Sequence, residues 1–232
     1  MNLLPLIILL ACFIIGLPIG FSLIISVIFY FAQEPYLSMT VIVQRMVSSA
    51  ESVSLMAIPF FVTAGAIMNY SGISSKLMAL AEALVGHMTG GLGQVNVLLS
   101  TLMGGVSGSG AADAAMECKL LVPEMEKRGY DSGFSAAVTA ASACITPIIP
   151  PSVALVVFAF VCGVPTGKLL CAGYLPGILL CLCQMLIVHR ISRKKGFAPS
   201  REKIASRAEI FKLVIDGIWA LFLPFGLSLI HI

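Results

Sequence analysis

Charge is what this chain has least of. Only 11% of its 232 residues are Asp, Glu, Lys or Arg, where a soluble domain carries about 25%. Together with 59% hydrophobic residues and a mean hydropathy of +1.03, that shortage excludes an ordinary water-soluble domain and implies an integral membrane protein. The seven cysteines, Cys12, Cys118, Cys144, Cys162, Cys171, Cys181 and Cys183, show no Cys-x-x-Cys or Cys/His spacing. They therefore read as buried free thiols rather than a metal module. The three histidines, His87, His189 and His231, all fall at the ends of expected segments or of the chain. No basic stretch or cleavage site opens the sequence, so Met1–Ala32 reads as a retained membrane segment and not a signal peptide. No internal repeat is visible.

What charge there is lies unevenly. Eight of the fourteen Lys and Arg residues fall between Arg190 and Lys212, between two apolar segments. That placement speaks against nucleic acid as a partner and for a cytoplasmic loop facing a lipid bilayer. The apolar stretches then order the chain. Leu3–Ala32 carries no charge and reads as one long span, kinked at "GLPIG" where Pro18 removes a backbone bond. Gln33–Ser54, with Glu34, Arg45 and Glu51, suits an interfacial helix. Leu55–Tyr70 is a second apolar run, and Ile73–Thr89 an amphipathic helix for the membrane surface or for bracing a partner. Leu169–Val188 is a clean span, and Phe211–Ile232 starts another.

Between these lie two segments that are costly in lipid. Gly104–Ala115 reads "GGVSGSGAADAA" and joins two apolar pieces, Gly90–Gly105 and Ala111–Met125, each too short to cross. Two short helices around a glycine-serine turn describe a re-entrant hairpin. Phe134–Gly163 is long enough to cross but is interrupted by "TPIIPPS" at Thr146–Ser152. The hairpin reading also puts Lys127, Arg128 and the Arg190–Lys212 cluster on one side, as the positive-inside rule requires.

The chemistry follows from the atoms these segments leave unpaired. Ser107 and Ser109 offer hydroxyls, and Asp113 falls in the first turn of the second hairpin helix, where the helix dipole favours a carboxylate. Pro147, Pro150 and Pro151 cannot bond the carbonyls of Ala143, Thr146 and Pro147. In lipid those oxygens need partners, and a hard cation is one. A broken helix facing such a tip is how secondary transporters hold substrate and coupling ion. The plainer reading is a tight helix seam with a proline kink. A third class is an intramembrane serine protease, since Gly105-Val106-Ser107-Gly108 fits a Gly-x-Ser-Gly pattern. It would need a histidine near the serine, and none is placed at that depth.

Four stretches carry a resemblance. "GLPIG", "AIPFFVTAGAIMNYSGIS" from Ala57, "ALVGHMTGGLGQVNVLLSTLMGGVSGSGAADAA" from Ala83 and "KRGYDSGFSAAVTAASACITPIIPPS" from Lys127 resemble the large membrane subunit of TRAP transporters, the DctM-like family of tripartite ATP-independent periplasmic transporters. The resemblance implies an all-α integral membrane protein, one half of an inverted-repeat elevator transporter, and no enzyme. It implies residues 1–89 as scaffold-like helices and 90–167 as a transport-domain-like hairpin and broken helix. Residues 168–232 would hold a transmembrane helix, a basic cytoplasmic loop and the start of a further helix.

The same resemblance implies sodium-coupled uptake of a small organic anion, a C4-dicarboxylate, sialic acid or related sugar acid, across the bacterial inner membrane. The partners implied are a periplasmic substrate-binding protein and a small four-helix membrane subunit. No cofactor is implied beyond Na+ as coupling ion. Carried onto this chain, substrate and ion residues are Ser107, Gly108, Ser109, Gly110 and Asp113 on the hairpin, with Thr139, Ser142, Thr146, Pro147, Pro150 and Pro151 opposite. The Na+ candidates among them and beside them are Ser107, Ser109, Ala143, Thr146 and Pro147. Family members are about twice as long, so the chain reads as an N-terminal half, and as a non-transporting assembly fragment if it stands alone. No arginine in it is placed to hold a carboxylate.

Overall fold

The computed structural model describes residues 3–34 and 36–218, which divide into two compact units at Leu55/Met56. In the first unit, α1 (Leu4–Ile14) and α2 (Ile19–Gln33) replace the single kinked helix expected from the sequence. Gly16 takes φ +84°, a left-handed turn that glycine adopts without strain. The Leu17 and Gly16 amides close α1 on Cys12 and Phe13, and Pro18 then opens α2. The two helices double back into an antiparallel hairpin, tied by the Ser26 hydroxyl on the Pro5 carbonyl.

The hairpin is polar inside and apolar outside. Ser22 is fully buried while Ile14 is 86% exposed. In water that order would be reversed; against lipid, small residues suit the helix seam and aliphatic ones face outward. The third helix of this unit, α3 (Met39–Ala50), is capped by Ser38 and buries none of its residues. The interfacial reading of Gln33–Ser54 rests on this segment.

The second unit begins with most of α4 (Val53–Tyr70), which carries Pro59 inside it. It continues through α5 (Ile73–Val85), α6 (Gly91–Ser107), α7 (Gly110–Leu120), α8 (Val122–Lys127) and α9 (Ser132–Ser142). After the break come α10 (Val153–Cys162), α11 (Thr166–Lys195) and α12 (Arg207–Asp216). Among the described residues no strand is present, and α11 alone is long and apolar enough to cross a bilayer. The segment expected to start a span at Phe211 falls partly in α12, and its remainder from Trp219 on lies outside the described residues.

The axis of this unit is α6. On one side Val95, Leu99 and Met103 pack with Leu77, Ala81 and Val85 of α5 and with Leu121. Of the two roles open for the amphipathic segment at Ile73, the packing bears on one: α5 lies against α6. On the other side Leu92 and Val97 pack with Phe134 and Val138 of α9, Ile145 and Ile149 of the break, and Cys181 and Val188 of α11. Close approach to α11 is bought by glycine, since a Cβ on Gly90 would lie 2.0 Å from the Ser192 hydroxyl.

A strap then ties the base of the hairpin. Ser200 and Arg201 amides donate to the Gly86 carbonyl at 2.8 and 3.1 Å, and Gly90 donates to Phe197 at 3.2 Å. Arg128 Nη1 donates to the Ser200 carbonyl at 3.0 Å, and the Phe197 ring stacks on Tyr130 at 4.2 Å.

One expectation is corrected throughout the chain. Only Cys12 and Cys181 are buried; Cys118, Cys144, Cys162, Cys171 and Cys183 are exposed. A thiol is a small apolar group, and a surface that faces lipid accepts it outside as readily as inside.

Candidate functional site

The quoted glycine-serine stretch forms a helical hairpin. Gly108, at φ +60°, ends α6, and the Ser109 hydroxyl caps α7 by accepting from the Ala112 amide at 3.4 Å. The arms run antiparallel, so that Ser100 of α6 meets Glu117 of α7 at 2.6 Å. The Ser107 side chain lies outside the described residues.

Facing the tip is the break between α9 and α10, which spans residues 143–152. Its backbone comes so close that only glycine fits opposite. A Cβ on Gly110 would stand 2.5 Å from the Ala143 carbonyl oxygen, and one on Gly108 2.7 Å from that of Pro151. The Pro147 carbonyl, freed by Pro151, accepts from the Ser152 hydroxyl at 2.6 Å. That same hydroxyl accepts from the Leu155 amide at 3.2 Å and so caps α10. Pro150 and Pro151 are both buried. Pro150 packs towards Gly173 of α11, where an added Cβ would stand 3.5 Å from its Cδ.

Between tip and break the interior is polar. Asp113 is 1% exposed, and its Oδ2 accepts from the Thr146 hydroxyl at 2.6 Å, which also lies 3.3 Å from the Ser100 carbonyl. One turn further along α7, Glu117 reaches Ser100 and, at 3.4 Å, Ser142. Asn96 ties the set together: its Nδ2 donates to Thr139 Oγ1 at 2.8 Å, and its Oδ1 accepts from the Ser142 hydroxyl at 2.7 Å. The Thr139 hydroxyl in turn donates to the Ser135 carbonyl at 2.9 Å. Every buried polar group here thus has a partner on another helix or on its own backbone, as a dry interior demands.

The structure sorts the residues singled out from the sequence into two groups. Gly108, Ser109, Gly110 and Pro147 line an open cavity of 670 Å³, with Val153 of α10 and Val62 and Ala66 of α4. Asp113, Thr139, Ser142 and Thr146 lie behind it in the buried network. Sequence reasoning missed Asn96, Ser100 and Glu117. Their signal was present as polar pairs spaced i, i+4 on otherwise apolar helices: 96 with 100, and 113 with 117.

A serine protease is not favoured by this geometry. His87 precedes the start of α6 and Ser107 ends it, so a helix of 17 residues separates them, about 25 Å at 1.5 Å per residue. His189 adjoins Val188, which packs at Gly93 near that same far end. His231 lies outside the described residues.

Among the described residues, a polar interior wrapped in aliphatic residues, with a glycine tip set against a proline break, defines the class: an all-helical integral membrane protein. The chain belongs to the DctM family, whose model, described as the DctM component of the tripartite ATP-independent periplasmic transporter, matches residues 6–232. It is similar to the sialic acid TRAP transporter permease protein SiaT of Haemophilus influenzae, 36% identical over 90% of this chain and 34% of that protein. It is also similar to the large permease protein SiaM of Vibrio cholerae, 37% identical over 90% of this chain and 48% of that protein. The 2,3-diketo-L-gulonate TRAP transporter large permease protein YiaN of Escherichia coli is 39% identical over 90% of this chain and 49% of its own length. The chain therefore spans between a third and a half of the length of these relatives.

Proposed function

We propose that this chain is the N-terminal part of the permease of a sodium-coupled secondary transporter, taking up a small organic anion across the bacterial inner membrane. The observation that carries the reading is the meeting of tip and break: backbone carbonyls of Ala143 and Pro151 stand against Gly110 and Gly108, beside the cavity that Ser109 lines. Oxygens of this kind, carbonyl and hydroxyl, are what a hard cation takes. Ser107, Ser109, Thr146 and the carbonyls of Ala143 and Pro147 are the Na+ ligands of this reading.

Substrate then lies on the cavity side, against Gly108, Gly110 and the Pro150–Pro151 turn. Thr139, Ser142 and Asp113 hold that wall from behind through the polar network. The hairpin of α6 and α7 enters and leaves the membrane on one side, and the tip and break move together in an elevator-type cycle. Relatives are named for sialic acid, 2,3-diketo-L-gulonate and, in the case of a TRAP transporter permease protein of Oleidesulfovibrio alaskensis, isethionate. All three are small organic acids, which supports an anion here. By the same analogy a periplasmic binding protein delivers the substrate, and a small four-helix membrane subunit completes the permease.

The test is sodium-driven uptake by the complete system carrying Ser109→Ala or Asp113→Ala. Uptake collapses in both if the assignment is right. Uptake unchanged in both, at normal protein levels, would sink it.

A further inference from the structure

In the second unit, α9 and α11 leave an apolar groove of 190 Å³ between them, lined by none of the residues of the tip-side cavity. Phe134, Ala137 and Ala141 form one wall, and Ile187 and Ile191 the other. The two alanines are exposed, and their small size is what makes the groove. Gln184 closes one end by donating Nε2 to the Ala141 carbonyl at 2.9 Å.

The other end is charged. The α11 face that carries Ile187 and Ile191 continues, one turn on, to Lys194 and Lys195. Lys195 Nζ lies 5.7 Å above the Phe134 ring and 3.8 Å from Asp131 Oδ2, so the cation stands at the groove's mouth. Arg190, Arg193 and Lys194 around it are exposed and form no ion pair among the described residues.

We infer that this groove holds one acyl chain of a phospholipid, with the lipid phosphate on Lys195. Length supports that occupant. Gln184 to Lys195 is a rise of about 16 Å along the helix, which matches one leaflet of a hydrocarbon core about 30 Å thick. Charge supports it too. The mouth lies where α11 turns from apolar to basic, the level at which headgroups and cationic side chains meet. An apolar floor with basic residues at one end only fits an amphiphile: Lys195 already has Asp131 beside it, and Arg190, Arg193 and Lys194 add the excess positive charge that an anionic headgroup answers. The inference needs the membrane setting but not the ion site, so either can fail without the other.

The experiment places the protein in vesicles of phosphatidylethanolamine and phosphatidylglycerol containing a trace of phosphatidylglycerol with a diazirine on its acyl chain. After photolysis, labelled peptides are mapped. Labelling of Phe134–Ala141 and Gln184–Ile191 is expected several-fold above that at Leu175 and Leu182, which face outward elsewhere on α11. Ala141→Leu fills the groove and lowers this labelling at least fivefold. Lys195→Gln lowers it for the phosphatidylglycerol probe and leaves a diazirine diacylglycerol, which lacks the phosphate, unchanged. If Ala141→Leu also lowers the melting temperature, Lys195→Gln decides alone. Labelling no higher than at Leu175 and Leu182 would mean ordinary surrounding lipid or a protein segment over the groove, and overturns the inference. So does equal loss of both probes in Lys195→Gln.

Discussion

The Thr146 hydroxyl donates to Asp113 Oδ2 at 2.6 Å, a bond between the proline break and the first turn of α7 that is closed off from solvent. It joins the glycine-serine hairpin to the segment where the prolines interrupt the helix. Thr146→Val keeps the shape of the side chain and removes that donor. The expected cost is about 1–3 kcal/mol, the range for depriving a buried polar group of a partner. Melting in detergent micelles measures it, and Thr146→Ser, which keeps the hydroxyl, restores most of the loss. A Val variant that melts like the parent would mean the contact holds nothing together.

Glycines at the tip differ in what they avoid, and three alanine variants separate the causes. Gly163 ends α10 at φ +66° with open space around it, so Gly163→Ala carries backbone strain alone, about 1–2 kcal/mol. Gly108→Ala carries similar strain plus a contact 2.7 Å from the Pro151 carbonyl. Gly110→Ala carries no such strain but puts its methyl 2.5 Å from the Ala143 carbonyl. Uptake by the complete system is expected to fall at least tenfold in the 108 and 110 variants and to stay near normal in the 163 variant. Equal effects in all three would show that turn geometry matters there and the approach of tip to break does not.

How much of this could be read beforehand depends on whether a feature is local. The tip and the break announce themselves in a few consecutive residues, because glycine, proline and a capping serine act on their own backbone. The polar network shows there only as separate polar residues on apolar helices, since Asn96, Glu117 and Ser142 come from three helices and packing alone decides that they meet. The α1–α2 turn was misread as a kink because Pro18 alone does not distinguish a bend from a reversal; Gly16 with positive φ and the Ser26–Pro5 contact do. Cysteine placement was misread by carrying a rule from water into lipid. The strap across residues 196–201 gave no signal, as a basic loop with one phenylalanine looks solvated in sequence.

That strap is open to a direct test. Phe197 stacks on Tyr130 at 4.2 Å and lies 5.3 Å from Phe134, and the backbone on either side of it bonds to Gly90, Gly86 and Arg128. Phe197→Ala removes the ring and about 2 kcal/mol of packing, less than a fully buried phenylalanine because the residue is half-buried. The loop is then expected to open locally before the helices do. Limited proteolysis should show new cleavage between Lys195 and Arg201 at temperatures where the parent is intact. Cleavage elsewhere first, or no change, would mean the strap is held by its backbone bonds without the ring.

Sodium itself should stabilise the protein if tip and break form its site. A ligand that binds only the folded state adds RT ln(1 + [L]/Kd), about 2.7 kcal/mol at a hundred times Kd. The melting temperature is therefore expected to rise with NaCl and not with an equal concentration of choline chloride, which controls for ionic strength. Ser109→Ala removes a hydroxyl from the cavity wall and should reduce the sodium-specific rise. Any loss of the α7 cap lowers melting equally in both salts, so the difference between NaCl and choline chloride isolates the sodium term. The Asn96→Ala variant makes the opposite pattern. It should melt lower in both salts, since it breaks the bonds to Thr139 and Ser142, yet keep a sodium increment as long as the tip still meets the break. No sodium-specific rise in the parent protein would count against a complete ion site in this half and favour an assembly role for it.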